Sequence, residues 1–374
     1  MIPVFEPKLF GNEEKYVLDC LRSNWISSSG PYLNKLEEKF SKYIGVNYGQ
    51  TCTSGSVALQ LALEALDVKG GEVIIPDFTI IVCATSAINA GAKPVLVDVD
   101  KKTWCIDVSK IEEKITKKTK SIMPVHMYGH PCDMDPIMEL SKKYNLHVVE
   151  DCCQTHGTEY KGKKVGSFGD VNAFSFYANK AITCGEGGMT VTNNEELAER
   201  VKLLRNVGFT EPRFLHYVKG FNYRMTNIQA AIALAQLENI DKIVGIKRII
   251  AKKYNKLLED YVEDGWFTLP YEAEWAKNNY WMYSILINDS FGLSRDEVMV
   301  KLKENGVDTR SFFYPMHQQP LFKNNKDRLY PNVKGKYPVS DYISKRGLYL
   351  PSGLTLIDDQ IKEVVDKLVS LKKK

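Results

Sequence analysis

Three groups of residues in this sequence pair reactive side chains with spacings that suggest chemistry. The first is Asp170-Val-Asn-Ala-Phe-Ser175-Phe-Tyr-Ala-Asn-Lys180, followed by Gly185-Glu-Gly-Gly188. It reads as an aromatic-rich strand that delivers a lysine into a Gly-rich turn. Burying an unpaired ammonium is costly, so such a lysine loses its proton more readily and becomes an amine nucleophile for a carbonyl carbon. A surface lysine with its stem laid along apolar neighbours fits the same residues. The second group is Leu146-His-Val-Val-Glu150-Asp151, an apolar strand ending in two carboxylates. Open α/β sheets bind ligands at that edge, although an acid there also serves to cap a turn. The third is Thr53-Ser54-Gly55-Ser56 ahead of an Ala/Leu-rich run. The free N–H groups of a first helical turn bind anions, and an ordinary Ser N-cap is the plainer reading. No Walker lysine loop and no G-x-G-x-x-G after a strand is present. Together, an anion anchor, a strand-end carboxylate and an amine nucleophile meet the needs of pyridoxal 5′-phosphate (PLP): phosphate, ring nitrogen and aldehyde.

These residues need a frame to hold them. Short Val/Ile-rich runs predict buried strands at Glu72–Pro76, Pro94–Asp98, Ser121–His126, Leu146–Asp151, Asn172–Phe176 and Met189–Thr192, with helical segments between several of them. Helices are expected through Leu33–Tyr43, from Ser56, and over Pro136–Tyr144. Thr226-x-x-Gln229 reads as a capping box opening a helix to about Glu238, and a long amphipathic helix follows over Ile240–Val262. Tyr280–Ile287 alternates as a half-exposed strand. Ser294-x-x-Glu297 caps a helix stopping at Gly306, and Ile357–Leu371 forms the last. The pattern predicts an α/β protein: a large domain, residues 1–240, with a mostly parallel mixed sheet covered by helices, and a smaller C-terminal α+β domain, residues 241–374.

The composition removes several function classes. Across 374 residues, Lys+Arg 50 against Asp+Glu 46 leaves a net charge of +4, too small and too dispersed for a nucleic-acid or acidic-membrane partner. No apolar run reaches the roughly 18–20 residues of a membrane span, and Glu6 and two prolines interrupt the start where a signal peptide would be apolar. The eight cysteines form no C-x-x-C pair, so no metal site is expected; reduced, mostly buried thiols in a cytoplasmic protein are. Lys372–Lys374 reads as a solvated end.

The sequence resembles the fold-type I PLP enzymes, of aspartate-aminotransferase-like fold, that transaminate nucleotide-linked keto-sugars. The matching motifs run from Trp25-Ile-Ser-Ser-Ser-Gly-Pro31 through Thr53-Ser-Gly-Ser-Val-Ala-Leu59, His126-x-Tyr-Gly-His-Pro-Cys-Asp-Met134, Glu150-Asp-Cys-Cys-Gln-Thr-His-Gly157 and Gly166-Ser-Phe-Gly-Asp170. They continue with Phe174–Lys180, Gly185–Met189 and Gly220-Phe-Asn-Tyr-Arg-Met-Thr-Asn227, and end near Phe313-Tyr-Pro-Met-His317. The resemblance implies that Lys180 carries PLP covalently and returns a proton, that Asp151 pairs with the ring nitrogen, and that Gln154 bonds the ring hydroxyl. Gly55, Ser56 and Ser175 would hold the phosphate. Asn222 would reach it from a neighbouring subunit, making a homodimer with composite sites. Trp25, Ser27, Ser28, Glu186, Tyr314 and His317 fall in segments like the family's sugar-nucleotide pocket, His317 being equally readable as a structural histidine. Arg224 and Arg310 offer charge for a diphosphate or a donor's carboxylates, or form ion pairs. The family usually has an aromatic stacked on the ring where this chain has Ile80, which implies weaker cofactor retention.

The activity so implied is transfer of an amine from L-glutamate to C4 of an NDP-4-keto-6-deoxyhexose. A 3-amino transfer, or a UDP- or dTDP-linked sugar, fits the same scaffold. Relatives that dehydrate at C3 carry His at the lysine position, which Lys180 disfavours. A non-catalytic regulatory protein of the same fold is the remote alternative.

Overall fold

The computed structural model describes residues 1–324 and 327–372; Lys373 and Lys374 of the expected solvated end lie outside them, while Lys372 donates to the Ser290 carbonyl (2.7 Å). Seven strands build the main sheet: β1 (Tyr48–Cys52), β2 (Glu72–Pro76), β3 (Lys93–Val97), β4 (Thr119–Ile122), β5 (His147–Val148), β6 (Asn172–Ser175) and β7 (Gly188–Thr192). Strands β3, β2, β4 and β5 pair in parallel, and β1, β7 and β6 pair antiparallel. Asp151 joins the two groups, bridging Val125 on one side and Ala173 on the other, both in parallel. The result is one sheet of order β3-β2-β4-β5-β6-β7-β1, in which β7 alone runs against the rest. β2 reads as a nearly unbroken apolar run, with Val73, Ile74 and Ile75 fully buried, as a strand covered on both faces should be.

Local chemistry sets the helices. Pro31 opens α2 (Pro31–Ile44) after α1 (Glu13–Arg22), and Gly45 at φ +87° ends it in a left-handed cap. Helix α3 (Gly55–Ala65) follows β1, with Ser54 as its N-cap. Then come α4 (Val82–Asn89), α5 (Met134–Tyr144) and α6 (Glu195–Arg205). Helix α7 (Asn227–Leu237) starts at the expected capping box, with Thr226 and Gln229 satisfying each other's backbone N–H. Helix α8 (Ile240–Glu263) places Ile243 and Val244 in one apolar core and Ile250, Tyr254 and Leu258 in another, so it spans both.

The second core is built mainly from the C-terminal third around an antiparallel sheet of Phe267–Thr268, Tyr283–Ile287, Gly347–Leu350 and Arg310–Ser311. Ile2 also belongs to it, through a parallel bridge to Val307. The alternation over 280–287 is present, but neither face is exposed. Tyr283, Ile285 and Ile287 enter the second core, whereas Met282 and Leu286 enter the first. No helix among the described residues is long and apolar enough to cross a membrane.

Candidate active site

Residues that follow the carboxyl ends of β1, β2, β5 and β6 converge on one cavity of about 330 Å³. Ser54, Gly55 and Ser56 come from the turn after β1, Ile80 from the loop after β2, and Asp151 and Gln154 from beyond β5. Ser175, Asn179 and Lys180 come from the end of β6 and its loop. Trp281, Phe313 and Tyr349 reach in from the C-terminal part of the chain.

The Lys180 Nζ lies 3.9 Å from the centre of the Trp281 indole. Burial pulls its pKa below the ordinary lysine value, while the negative ends of Cys153, Asp151 and Cys83 act the other way. The indole that covers it is itself held at several points. Its Nε1–H donates to the Asn179 carbonyl (2.7 Å), its backbone N–H donates to Asn279 (2.8 Å), and its carbonyl accepts from the buried Lys247 ammonium (2.9 Å).

The paired acids at the end of β5 have separate tasks. Glu150 accepts the N–H groups of Gly166, Phe168 and Gly169, each at 2.8 Å, and pins the loop ahead of β6. It also meets His126 Nε2 at 3.1 Å. The Cys132 N–H occupies His126 Nδ1, so the ring proton sits on Nε2 and is donated to Glu150. The ligand-type atoms of His126, Glu150 and Cys152 lie within 4.8 Å of one another, and the bonds just described occupy the first two. Asp151 faces the cavity. Its two oxygens take the Cys153 N–H (3.0 Å) and the Cys83 thiol (3.2 Å), and among the described residues no cation pairs with it.

Both groups fit PLP. A buried carboxylate bonded only to neutral donors suits a protonated ring nitrogen, and a dry amine with no acid partner suits an aldehyde. The anion end fits as well. Ser54 caps α3 by accepting the Val57 N–H (3.3 Å), and a Cβ on Gly55 would come within 2.5 Å of Ser175 Cβ, so the turn and β6 touch only because that residue is glycine. Gln154 accepts the Tyr128 N–H at 2.7 Å, which leaves its NH2 as the end to face the cavity. Asn179 Oδ1 is buried there without a partner. When bound, PLP supplies an electron sink for the carbanion character developed at the carbon whose proton is moved.

Other residues singled out from the sequence lie elsewhere. Trp25 is half exposed, and its carbonyl and that of Ser27 accept from Asn227 (2.8 and 2.6 Å) at the start of α7. Ser28 and Arg224 line a separate cleft of about 970 Å³. Glu186 lines the cavity, and its carbonyl accepts from Gln229 of α7 (2.7 Å), which links the two regions. Asn222 is exposed and accepts from Arg224 (2.8 Å), away from this chain's own cavity. Arg310 pairs with Asp308 (2.6 Å), and Tyr314 is largely exposed while its neighbour Phe313 enters the cavity.

His317 does not face the cavity. Its Nδ1 meets Asp77 (2.7 Å) and its Nε2 meets Asp341 (3.2 Å), which ties the end of β2 to the helix Pro338–Arg346. Burial works to lower its pKa, but Asp77 and then Asp341 outweigh this and hold it above the ordinary histidine value. A raised histidine pKa contributes stability that is complete below about 6.5 and is lost as pH rises through the folded-state value. Wild type should therefore melt higher than His317→Gln at pH 6, with the gap shrinking steadily towards pH 9. A gap that widens with pH would contradict the assignment.

Asn179 and Phe313 stand inside motifs quoted above but are given no role there, whereas Cys83, Trp281 and Tyr349 carry no local mark in the sequence.

A mostly parallel sheet with a lysine, a carboxylate and a helix N-terminus gathered at its carboxyl edge is the arrangement of a fold-type I, PLP-dependent enzyme. Residues 7–369 match the DegT/DnrJ/EryC1/StrS aminotransferase family, and the chain belongs to that family. It is 44% identical to a GDP-perosamine synthase of Escherichia coli O157:H7 over 98% of this chain and 97% of the relative. It is 40% identical to one of Vibrio cholerae, over 97% of each. Among solved structures, S. venezuelae DesV superposes with a TM-score of 0.89 at 32% identity, covering 97% of this chain and 95% of that one. An aminotransferase from Psychrobacter cryohalolentis gives 0.90 at 31%, covering 98% of each. The expected fold type is thereby met.

Ile80 forms part of the cavity wall and is 39% exposed, so a ring can lie against it. An aromatic there would add stacking worth about 0.5–1.5 kcal/mol. Ile80→Phe should lower the PLP dissociation constant by roughly two- to tenfold, measured on the apoprotein. An unchanged constant would remove the link between Ile80 and weak retention.

Proposed function

We propose that this protein moves an amino group from L-glutamate to C4 of a GDP-linked 4-keto-6-deoxyhexose, as a sugar aminotransferase of amino-sugar biosynthesis. One observation carries the chemistry: the Lys180 amine, without an acid partner and roofed by Trp281, shares a cavity with the cation-free carboxylate of Asp151. The substrate class is supported by the perosamine synthases, similar over nearly the whole chain.

In this reading the first-turn N–H groups of α3, with Ser56 and Ser175, hold the cofactor phosphate, and Gln154 donates to the ring oxygen. Asp151 keeps a proton on the ring nitrogen. Lys180 would hold the cofactor at its aldehyde carbon, and its amine is placed to move the proton at the donor's α-carbon. With the keto-sugar it carries a proton to C4. Trp281 and Phe313 exclude water, so the proton stays on the path between these atoms. Trp25, Ser27, Ser28, Glu186, Tyr314 and His317 are assigned to the sugar-nucleotide side; of these Glu186 lines the cavity. His317, with both ring nitrogens engaged, acts there by placing the loop that carries Phe313. The exposed Asn222 serves the cavity of a second copy, which makes the working unit a homodimer. Eight free cysteines suit a reducing, cytoplasmic setting.

A second reading has its own support: the chain is 34% identical to a dTDP-3-amino-3,4,6-trideoxy-alpha-D-glucose transaminase of Streptomyces venezuelae. The deciding experiment supplies glutamate and a panel of GDP-, dTDP- and UDP-linked 3- and 4-ketosugars, with products read by mass. A GDP-linked 4-amino sugar as the preferred product supports the proposal; a 3-amino product or a dTDP or UDP preference replaces it. Failure to convert glutamate to 2-oxoglutarate on any sugar would favour a regulatory role.

A further inference from the structure

Cys83 lies in the first turn of α4, completely buried, and no step described above uses it. Its Sγ sits 3.2 Å from Asp151 Oδ2 and 3.4 Å from the Thr79 hydroxyl. An ionised carboxylate has no proton to give, so the thiol is the donor to Asp151 and the Thr79 hydroxyl is free to donate to the sulfur. Asp151 Oδ1 is held separately by the Cys153 N–H. The carboxylate is thus gripped at both oxygens by neutral donors from two different segments. One of them, α4, begins just after Ile80 in the wall of the same cavity.

We propose that Cys83 is a positioning residue for Asp151: its thiol proton fixes the carboxylate in the rotamer facing the cavity. The proposal rests on Asp151 being the partner of the cofactor's ring nitrogen. Burial, with the charge of Asp151 beside it, pushes the Cys83 pKa well up, so the thiol remains a donor rather than a competing anion. A serine hydroxyl would do the same work, and an alanine would leave Oδ2 without its donor.

The test titrates apoprotein with PLP and reads the dissociation constant from cofactor absorbance, beside the melting temperature of each apoprotein. Cys83→Ala should raise the constant about tenfold, the lower end for a hydrogen bond to a charged group. Cys83→Ser should stay within roughly threefold of wild type. The double variant Cys83→Ala with Asp151→Asn should bind no more weakly than Asp151→Asn alone, because the thiol acts only through that carboxylate. If the alanine variant does not fold, Cys83→Val, which keeps bulk without a donor, takes its place against serine. Equal binding by Cys83→Ala and wild type overturns the proposal. So does equal weakening by alanine and serine, or an additive double variant. If Asp151→Asn itself binds PLP as wild type does, the role given to Asp151 falls, and the proposal with it.

Discussion

Replacing Lys180 by alanine is expected to lower turnover of glutamate and keto-sugar by at least about four orders of magnitude, because one side chain serves both as nucleophile and as proton carrier. The loss should come from chemistry and not from folding. Lys180 makes no ion pair among the described residues, and its backbone N–H bond to the Tyr177 carbonyl (2.9 Å) survives the change. The anion turn at Ser54–Ser56 and the carboxylate of Asp151 are untouched, so PLP should still bind, but without a covalent link. Arginine is no substitute, since its guanidinium does not lose a proton in proteins. Turnover within tenfold of wild type in the alanine variant would mean that another group performs the proton transfer.

Asp151→Asn should give the next largest effect. The amide oxygen can still accept the Cys153 N–H, so local geometry is largely kept. What disappears is the negative charge facing the cavity, and with it the preference for a protonated ring nitrogen. A hydrogen bond to a charged group is worth about 1.5–3 kcal/mol, so PLP affinity should fall roughly ten- to a hundredfold. Turnover at saturating PLP should fall by about a hundredfold or more, because the ring no longer withdraws electrons when the proton is moved. Asp151→Glu keeps the charge but misplaces it, and should lie between the two. An asparagine variant with wild-type turnover would show that the ring nitrogen needs no anionic partner here.

The parts of the fold visible in the sequence are those set by local pattern. The Val/Ile run of β2 and the Thr226–Gln229 capping box appear where periodicity and cap chemistry put them. Leu146–Asp151 was readable as a strand, although its last residues join the sheet only through bridges at Asp151. Lys180, Asp151 and the Ser54–Ser56 turn each sit in a short motif with its chemistry intact, and this made the three legible. Trp281 was not legible, because its place over Lys180 depends on a chain segment about a hundred residues away and on the Asn179 carbonyl it bonds. Cys83 looked like one more core thiol; only packing against Asp151 distinguishes it. Alternation along the strand did not divide the work between Glu150 and Asp151; the resemblance pointed to Asp151, and the role of Glu150 at the Gly166–Gly169 loop came only from the structure. The half-exposed strand expected over 280–287 failed for the converse reason: its alternation sorts side chains between two cores instead of between core and water.

The most direct test of the whole account is to treat the PLP-loaded protein with borohydride, digest it and map the modified peptide by mass. A single reduced B6 adduct on Lys180 is the expected result. A protein that stays colourless after reconstitution, or an adduct on any other lysine, would contradict it.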